Sequence, residues 1–122
     1  MSSTNQARDS KLNIGHVNVY HLYNKVHDVC RLLSGSQLHL LGLTETRLSD
    51  LHSDRQVAIP NYHFVRKDAT LSGQTGMGVY IHTNITKDVT RRTDLESEKV
   101  ECIWLQYKRC EKDTAFLIGI VY

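Results

Sequence analysis

A chain of 122 residues can bury one hydrophobic core but not two. Hydrophobic residues at 40%, charged residues at 23% and a single proline describe a globular domain and exclude disordered and collagen-like chains. The formal net charge of +2, from 15 Lys and Arg against 13 Asp and Glu, excludes a protein that grips nucleic acid through bulk charge, so any such partner must be held locally.

No apolar run approaches the roughly 20 residues that span a bilayer. The N-terminal MSSTNQARDSK contains no apolar segment of the kind that directs secretion. Cys30, Cys102 and Cys110 are odd in number and lack CxxC spacing, which suits a reducing, intracellular compartment, nuclear or cytoplasmic, better than a disulfide framework or a zinc finger. Asn84-Ile85-Thr86 satisfies the glycosylation pattern, but such tripeptides arise often by chance.

Residues 1–10 carry no hydrophobic period and read as a mobile tail, so the fold is expected to begin at Lys11. From Leu12 to Tyr20, Leu12 and Ile14 alternate with Val17 and Val19, the pattern of a strand covered on both sides. Leu22, Val26, Val29, Cys30 and Leu33 then lie along one stripe of a single amphipathic helix that Gly35 is placed to end. Leu38 to Thr44, LHLLGLT, is too short for an independent helix and reads as a buried strand. Strand, helix and strand within about 30 residues imply a right-handed crossover and a parallel pair.

Leu48 to Pro60 is polar and irregular. Tyr62 to Arg66 and Met77 to Thr83 form β-rich runs around the turn-like segment from Leu71 to Gly76, which predicts an antiparallel hairpin. Val100 to Tyr107 alternates, and Ala115 to Tyr122 is an apolar strand beyond a charged turn, which predicts a second hairpin. The elements sum to an α/β or α+β fold, one βαβ unit followed by antiparallel hairpins. With no second amphipathic helix after Leu33, one face of the sheet is expected to stay bare. The run AFLIGIVY has no terminating turn, so the fold is expected to continue beyond Tyr122.

Glu45 is the leading candidate for chemistry. An acid at the C-terminal end of a buried parallel strand sits where open α/β sheets place their ligands, and carboxylate oxygens suit Mg²⁺. Its plainer role is an exposed acid that starts a loop and pairs with Arg47. Asn18, at the end of the neighbouring parallel strand, can share the same crevice or simply serve the turn. The seven histidines make no H-x₃₋₅-H pair beside cysteine and no HExxH, and GxxGxG at Gly73, Gly76 and Gly78 lacks the GK[ST] ending of a phosphate loop. A hairpin loop and a close-packed strand glycine account for these glycines. Cys30 on the helix stripe and Cys102 on a strand face read as small core residues.

The ordered segments LNIGHVNVYHLYNKVHDVCRLL, LHLLGLTETRL, IPNYHFVRKD, GMGVYIH, VECIWLQYK and FLIGIVY together resemble the endonuclease/exonuclease/phosphatase superfamily. The wording is most similar to the apurinic-type endonuclease domain of non-LTR, LINE-like retrotransposons. The strongest elements are the asparagine-bearing first strand around Asn18, Thr44-Glu45-Thr46-Arg47-Leu48, and Gly76-Met77-Gly78-Val79-Tyr80-Ile81 after Pro60, Tyr62, Arg66 and Asp68. The resemblance runs over residues 11–122 as the N-terminal half of such a domain, a partial β-sandwich.

The resemblance implies that Glu45 is the acidic ligand of a catalytic Mg²⁺ or Mn²⁺, held weakly in this chain alone, and that Asn18 is the active-site asparagine. It also implies that Tyr122 opens the family's Tyr-Arg-Pro-Pro segment, its hydroxyl near the scissile phosphate of a DNA substrate. The sequence departs from its relatives at Tyr20-His21, where Arg-Ser is common. It also lacks the Gly-Asp-x-Asn and Ser-Asp-His segments that would supply a general base and a phosphate-binding histidine. The implied function is metal-dependent DNA nicking to prime reverse transcription, with this chain inactive by itself. A non-catalytic remnant or interaction module, self-associating through its exposed sheet, is the competing reading. A superfamily phosphatase for lipid or nucleotide substrates fits the wording less well.

Overall fold

The computed structural model describes residues 11–122, so the reading of residues 1–10 as a tail lies outside the described residues. The alternating and the continuous apolar segments become β1 (Ile14–Asn18) and β2 (Leu40–Thr44), paired in parallel with Ile14 opposite Leu40 and Asn18 opposite Thr44. Every residue of β2 is buried, because it has a strand on each side and a packed layer on each face. β1 is shorter than its sequence period suggested and lies at the sheet edge, with Ile14 exposed.

Helix α1 (Val26–Ser34) connects the parallel pair and buries Val29 and Leu33. Gly35 ends it at φ −93°, without a left-handed turn, its N–H donating to the Arg31 carbonyl. The expected single helix from Leu22 is corrected: Leu22–Asn24 forms a separate 3-10 turn. The break has a local cause. Tyr20 and His21 hold φ of 45° and 75°, and Lys25 Nζ donates to the carbonyls of Val19 and Tyr20 at 2.9 and 3.1 Å, which bends the chain before helical bonding can start.

The first predicted hairpin is β3 (Tyr62–Lys67) with β4 (Met77–His82), and β4 also pairs antiparallel with β2. The first sheet thus runs β1-β2-β4-β3. The second predicted hairpin is β6 (Cys102–Tyr107) with β7 (Phe116–Val121). It is joined by β5 (Val89–Arg91), whose three residues are too few to show a period in sequence, giving the order β5-β6-β7.

The expectation of a bare face on the first sheet is overturned. One face packs against α1 and the loops through Val19, Leu22, Val29, Leu33, Leu41 and Leu43. The other meets the second sheet, Leu40, Met77, Val79 and Ile81 packing with Ile103, Leu105 and Tyr107. The second sheet therefore does the work for which no helix was available. Part of the apolar surface left over lies on β7, where Phe116, Leu117 and Val121 are exposed. Gly42 sets the closeness of the two layers: a Cβ there would stand 2.8 Å from Ile120 Cγ1. Among the described residues no helix is long and apolar enough to cross a membrane.

Candidate active site

Because β1 and β2 are parallel and in register, their C-terminal ends finish side by side, Asn18 closing β1 and Glu45 following Thr44 of β2. The segments beyond them are tied together: Val19, His21 and Leu22 donate their N–H groups to the carbonyls of Thr44, Glu45 and Thr46 at 3.0, 2.9 and 2.9 Å. Glu45 and Arg47 adopt left-handed backbone conformations, φ 57° and 53°, that cost non-glycine residues on the order of 1 kcal/mol or more each. Two side chains are thereby turned out of the strand's alternation, while Thr46 between them is fully buried.

Tyr122 reaches the same corner from the other sheet. Since Ile120 packs on Gly42, the residue two positions further along β7 extends past the end of β2, and the Tyr122 hydroxyl donates to the Glu45 carboxylate. The structure therefore brings Asn18, Glu45 and Tyr122 together. The Tyr122 hydroxyl, and after it the Asn18 side chain, hold the Glu45 carboxyl below the usual carboxylate range, with the nearby Arg47 charge adding to the effect. Donation to Glu45 in turn pushes the Tyr122 hydroxyl up. The expected Glu45–Arg47 ion pair is not formed; the Arg47 guanidinium instead lies 4.9 Å from the centre of the exposed Tyr20 ring.

Among the described residues no group of three or more His, Cys, Asp or Glu gathers to hold a metal. A hard cation at this corner would find the Glu45 carboxylate and the Asn18 carboxamide oxygen. That donor set fits Mg²⁺, which takes one or two carboxylates and completes its shell with water and substrate phosphate oxygens. A cavity of about 1090 Å³ opens at the opposite end of the first sheet, lined by Asn13, His39, Tyr62 and His82 among others, and none of the three candidate residues reaches it.

Two supporting groups were not foreseen. Arg66 donates to both oxygens of Asp68 at 3.1 and 2.7 Å, to Asp54 at 3.0 Å, and to the carbonyls of His52 and Ser49 at 2.8 and 3.1 Å, so it staples the irregular segment after Leu48 to β3. Its only signal in the sequence is the Arg66–Asp68 spacing. Glu101 accepts hydrogen bonds from the backbone of Thr75 and Gly76, and nothing in the alternation of β6 announces it.

No family model matches the chain, and no curated protein matches it at a significant level. Among solved structures it is similar to the AP endonuclease LMAP from Leishmania major, with a TM-score of 0.65 and 18% identity over 89% of this chain and 38% of that one. The chain thus spans 38% of the length of the protein it matches. Mixed α and β content, one α-helix and two packed sheets give it an AP-endonuclease-like fold of the endonuclease/exonuclease/phosphatase type.

Proposed function

We propose that the chain is the N-terminal portion of a retrotransposon-type DNA endonuclease domain that nicks phosphodiesters with Mg²⁺ or Mn²⁺. The observation that carries this reading is the convergence of Asn18, Glu45 and Tyr122, from β1, the end of β2 and the end of β7, at one corner of an endonuclease-type fold. The order and wording of the TETRL, GMGVYI and FLIGIVY segments favour the LINE-like type over the other members of the fold.

In this reading Glu45 and Asn18 would hold the cation, which when bound would stabilise negative charge on the phosphoryl group and the leaving oxygen. The Asn18 side chain lies close enough to Glu45 to favour its ionised form, the form that would bind a cation. The Tyr122 hydroxyl, released from Glu45, donates to a phosphate oxygen. The matched residues supply neither a base for water nor a phosphate-binding histidine. A general base is worth about 10² to 10⁴-fold and a lost electrostatic contact about 10² to 10³-fold, so the 122-residue chain alone is expected to leave supercoiled plasmid intact with Mg²⁺.

Titration with Mn²⁺ tests the assignment. Wild type is expected to bind weakly and Glu45→Gln to lose that binding; equal binding by both would remove Glu45 as the ligand. A second reading, an interaction module, is favoured by the exposed Leu117 and Val121 on β7, which has no strand on its outer edge among the described residues. Sedimentation at micromolar concentration addresses it: self-association that Val121→Lys abolishes supports the module, and a stable monomer removes it.

A further inference from the structure

Glu101 immediately precedes β6, and its side chain and main chain serve different partners. The carboxylate accepts the Gly76 N–H at 2.7 Å, the Thr75 N–H at 3.0 and 3.1 Å, and the Thr75 hydroxyl at 3.4 Å. The carbonyl accepts the Tyr122 N–H at 2.9 Å. The loop so captured passes the restraint on: the carbonyls of Gly76 and Thr75 accept the N–H groups of Thr46 and Arg47 at 3.1 and 2.8 Å. Gly76, at φ +87°, fits so closely that a Cβ would stand 2.7 Å from Thr46 Oγ1.

We propose that Glu101 is a positioning residue that holds Glu45 and Tyr122 against one another, its carboxylate fixing the loop under Thr46-Arg47 and its carbonyl fixing Tyr122. The inference deepens the nuclease reading above and rests on it for its functional meaning. Both N–H groups converge on Oε2, and the Thr75 N–H and hydroxyl also reach Oε1, so every contact at the site suits a side chain that only accepts. Glutamate accepts at both positions, whereas a glutamine with its oxygen in the Oε2 place turns its NH₂ toward the Thr75 N–H. The clamp also explains how Glu45 and Arg47 keep left-handed backbone conformations that an untethered loop would relax.

The test needs neither metal nor DNA. In the 122-residue chain, the ¹³Cδ resonance of Glu45 at pH 7 reports its hydrogen bond from Tyr122, and Tyr122→Phe defines the displacement that follows its loss. Glu101→Gln is expected to move that resonance in the same direction by at least half as much, with little further movement in the double variant. Glu101→Asp keeps the charge but withdraws the carboxylate by one methylene, and it is expected to move the resonance as well. Ile85→Ala, a core truncation in the turn beyond the far end of β4, destabilises the fold and should leave the resonance in place.

Movement in Glu101→Gln but not Glu101→Asp would assign the effect to charge and overturn positioning, as would no movement in either. Should Glu101→Gln fail to fold, Glu101→Asp and wild-type amide exchange decide the matter. The amides of Thr75, Gly76, Thr46 and Arg47 are expected to be protected well beyond that of Gly73, and exchange as fast as Gly73 overturns the clamp. Loss of Mn²⁺ dependence on Glu45 would sink the nuclease reading and leave these resonances unchanged, so the two failures are distinguishable.

Discussion

Tyr122 and Glu45, 77 positions apart in the chain, share a hydrogen bond in which the phenol donates to the carboxylate. The bond stabilises the ionised acid, and it outranks both Asn18 and Arg47 among the influences that lower the Glu45 titration. Tyr122→Phe is therefore expected to raise the pKa of Glu45 toward the ordinary carboxylate value, and Asn18→Ala to raise it less. A ¹³C-detected titration of Glu45 measures both, and an unmoved titration in Tyr122→Phe would contradict the contact.

The placement of Tyr122 depends on how closely β7 approaches β2. A methyl group at Gly42 meets Ile120 at Cγ1, with Cγ2 and Cβ also within 3.7 Å, so the side chain cannot swing clear by rotating a flexible end. Gly42→Ala should cost about 1–3 kcal/mol through overpacking. Urea unfolding reads that cost. Unaltered stability would mean that the two sheets separate without penalty.

Arg66 joins β3 to the irregular segment after Leu48 through five hydrogen bonds, with its side chain 19% exposed. Arg66→Ala leaves Asp68 and two carbonyls without their partner and is expected to destabilise the chain by about 2–3 kcal/mol, the range of a charge-assisted bond removed from a partly buried site. Thermal unfolding in salt provides the check, since a purely superficial ion pair would show little loss and strong screening.

Glu96 carries the clearest pH dependence of stability. Burial pushes its carboxyl up, but the two-pronged bond from Arg91 at 2.8 and 3.0 Å, the Trp104 N–H and the charge of Lys67 outweigh that and hold it low. In acid the unfolded chain takes up the proton first. The stabilisation is thus complete above the unfolded value of about 4.3 and is lost as pH falls below it through the depressed folded value. Glu96→Gln should be less stable by about 2–3 kcal/mol at pH 7, and its difference from wild type should shrink below pH 4. A constant difference across pH 2 to 7 would exclude Glu96 as the titrating group.

The sequence by itself determined the elements whose cause is local. Alternation and apolar runs placed β1, β2, both hairpins and α1, and the spacing of strand, helix and strand implied the parallel pair, whose register in the folded chain sets Asn18 beside Glu45. The glycines of the first hairpin were also legible: Gly73 and Gly76 take φ of 87°, and a Cβ on Gly78 would stand 2.5 Å from the Phe64 ring. Tertiary structure decided the rest. That the second hairpin would cover the first sheet, that three residues from Val89 would join it as β5, and that Leu22 would leave the helix for its own turn all depend on competition between distant surfaces and local backbone strain. The same holds for Arg66 and Glu101, whose hydrogen bonds run to residues as many as 17 and 26 positions away. Hydrophobic period reports which neighbours along the chain share a face. It carries no information about which carboxylate will find a pair of backbone amides once two sheets have closed, because those donors converge only in the folded protein.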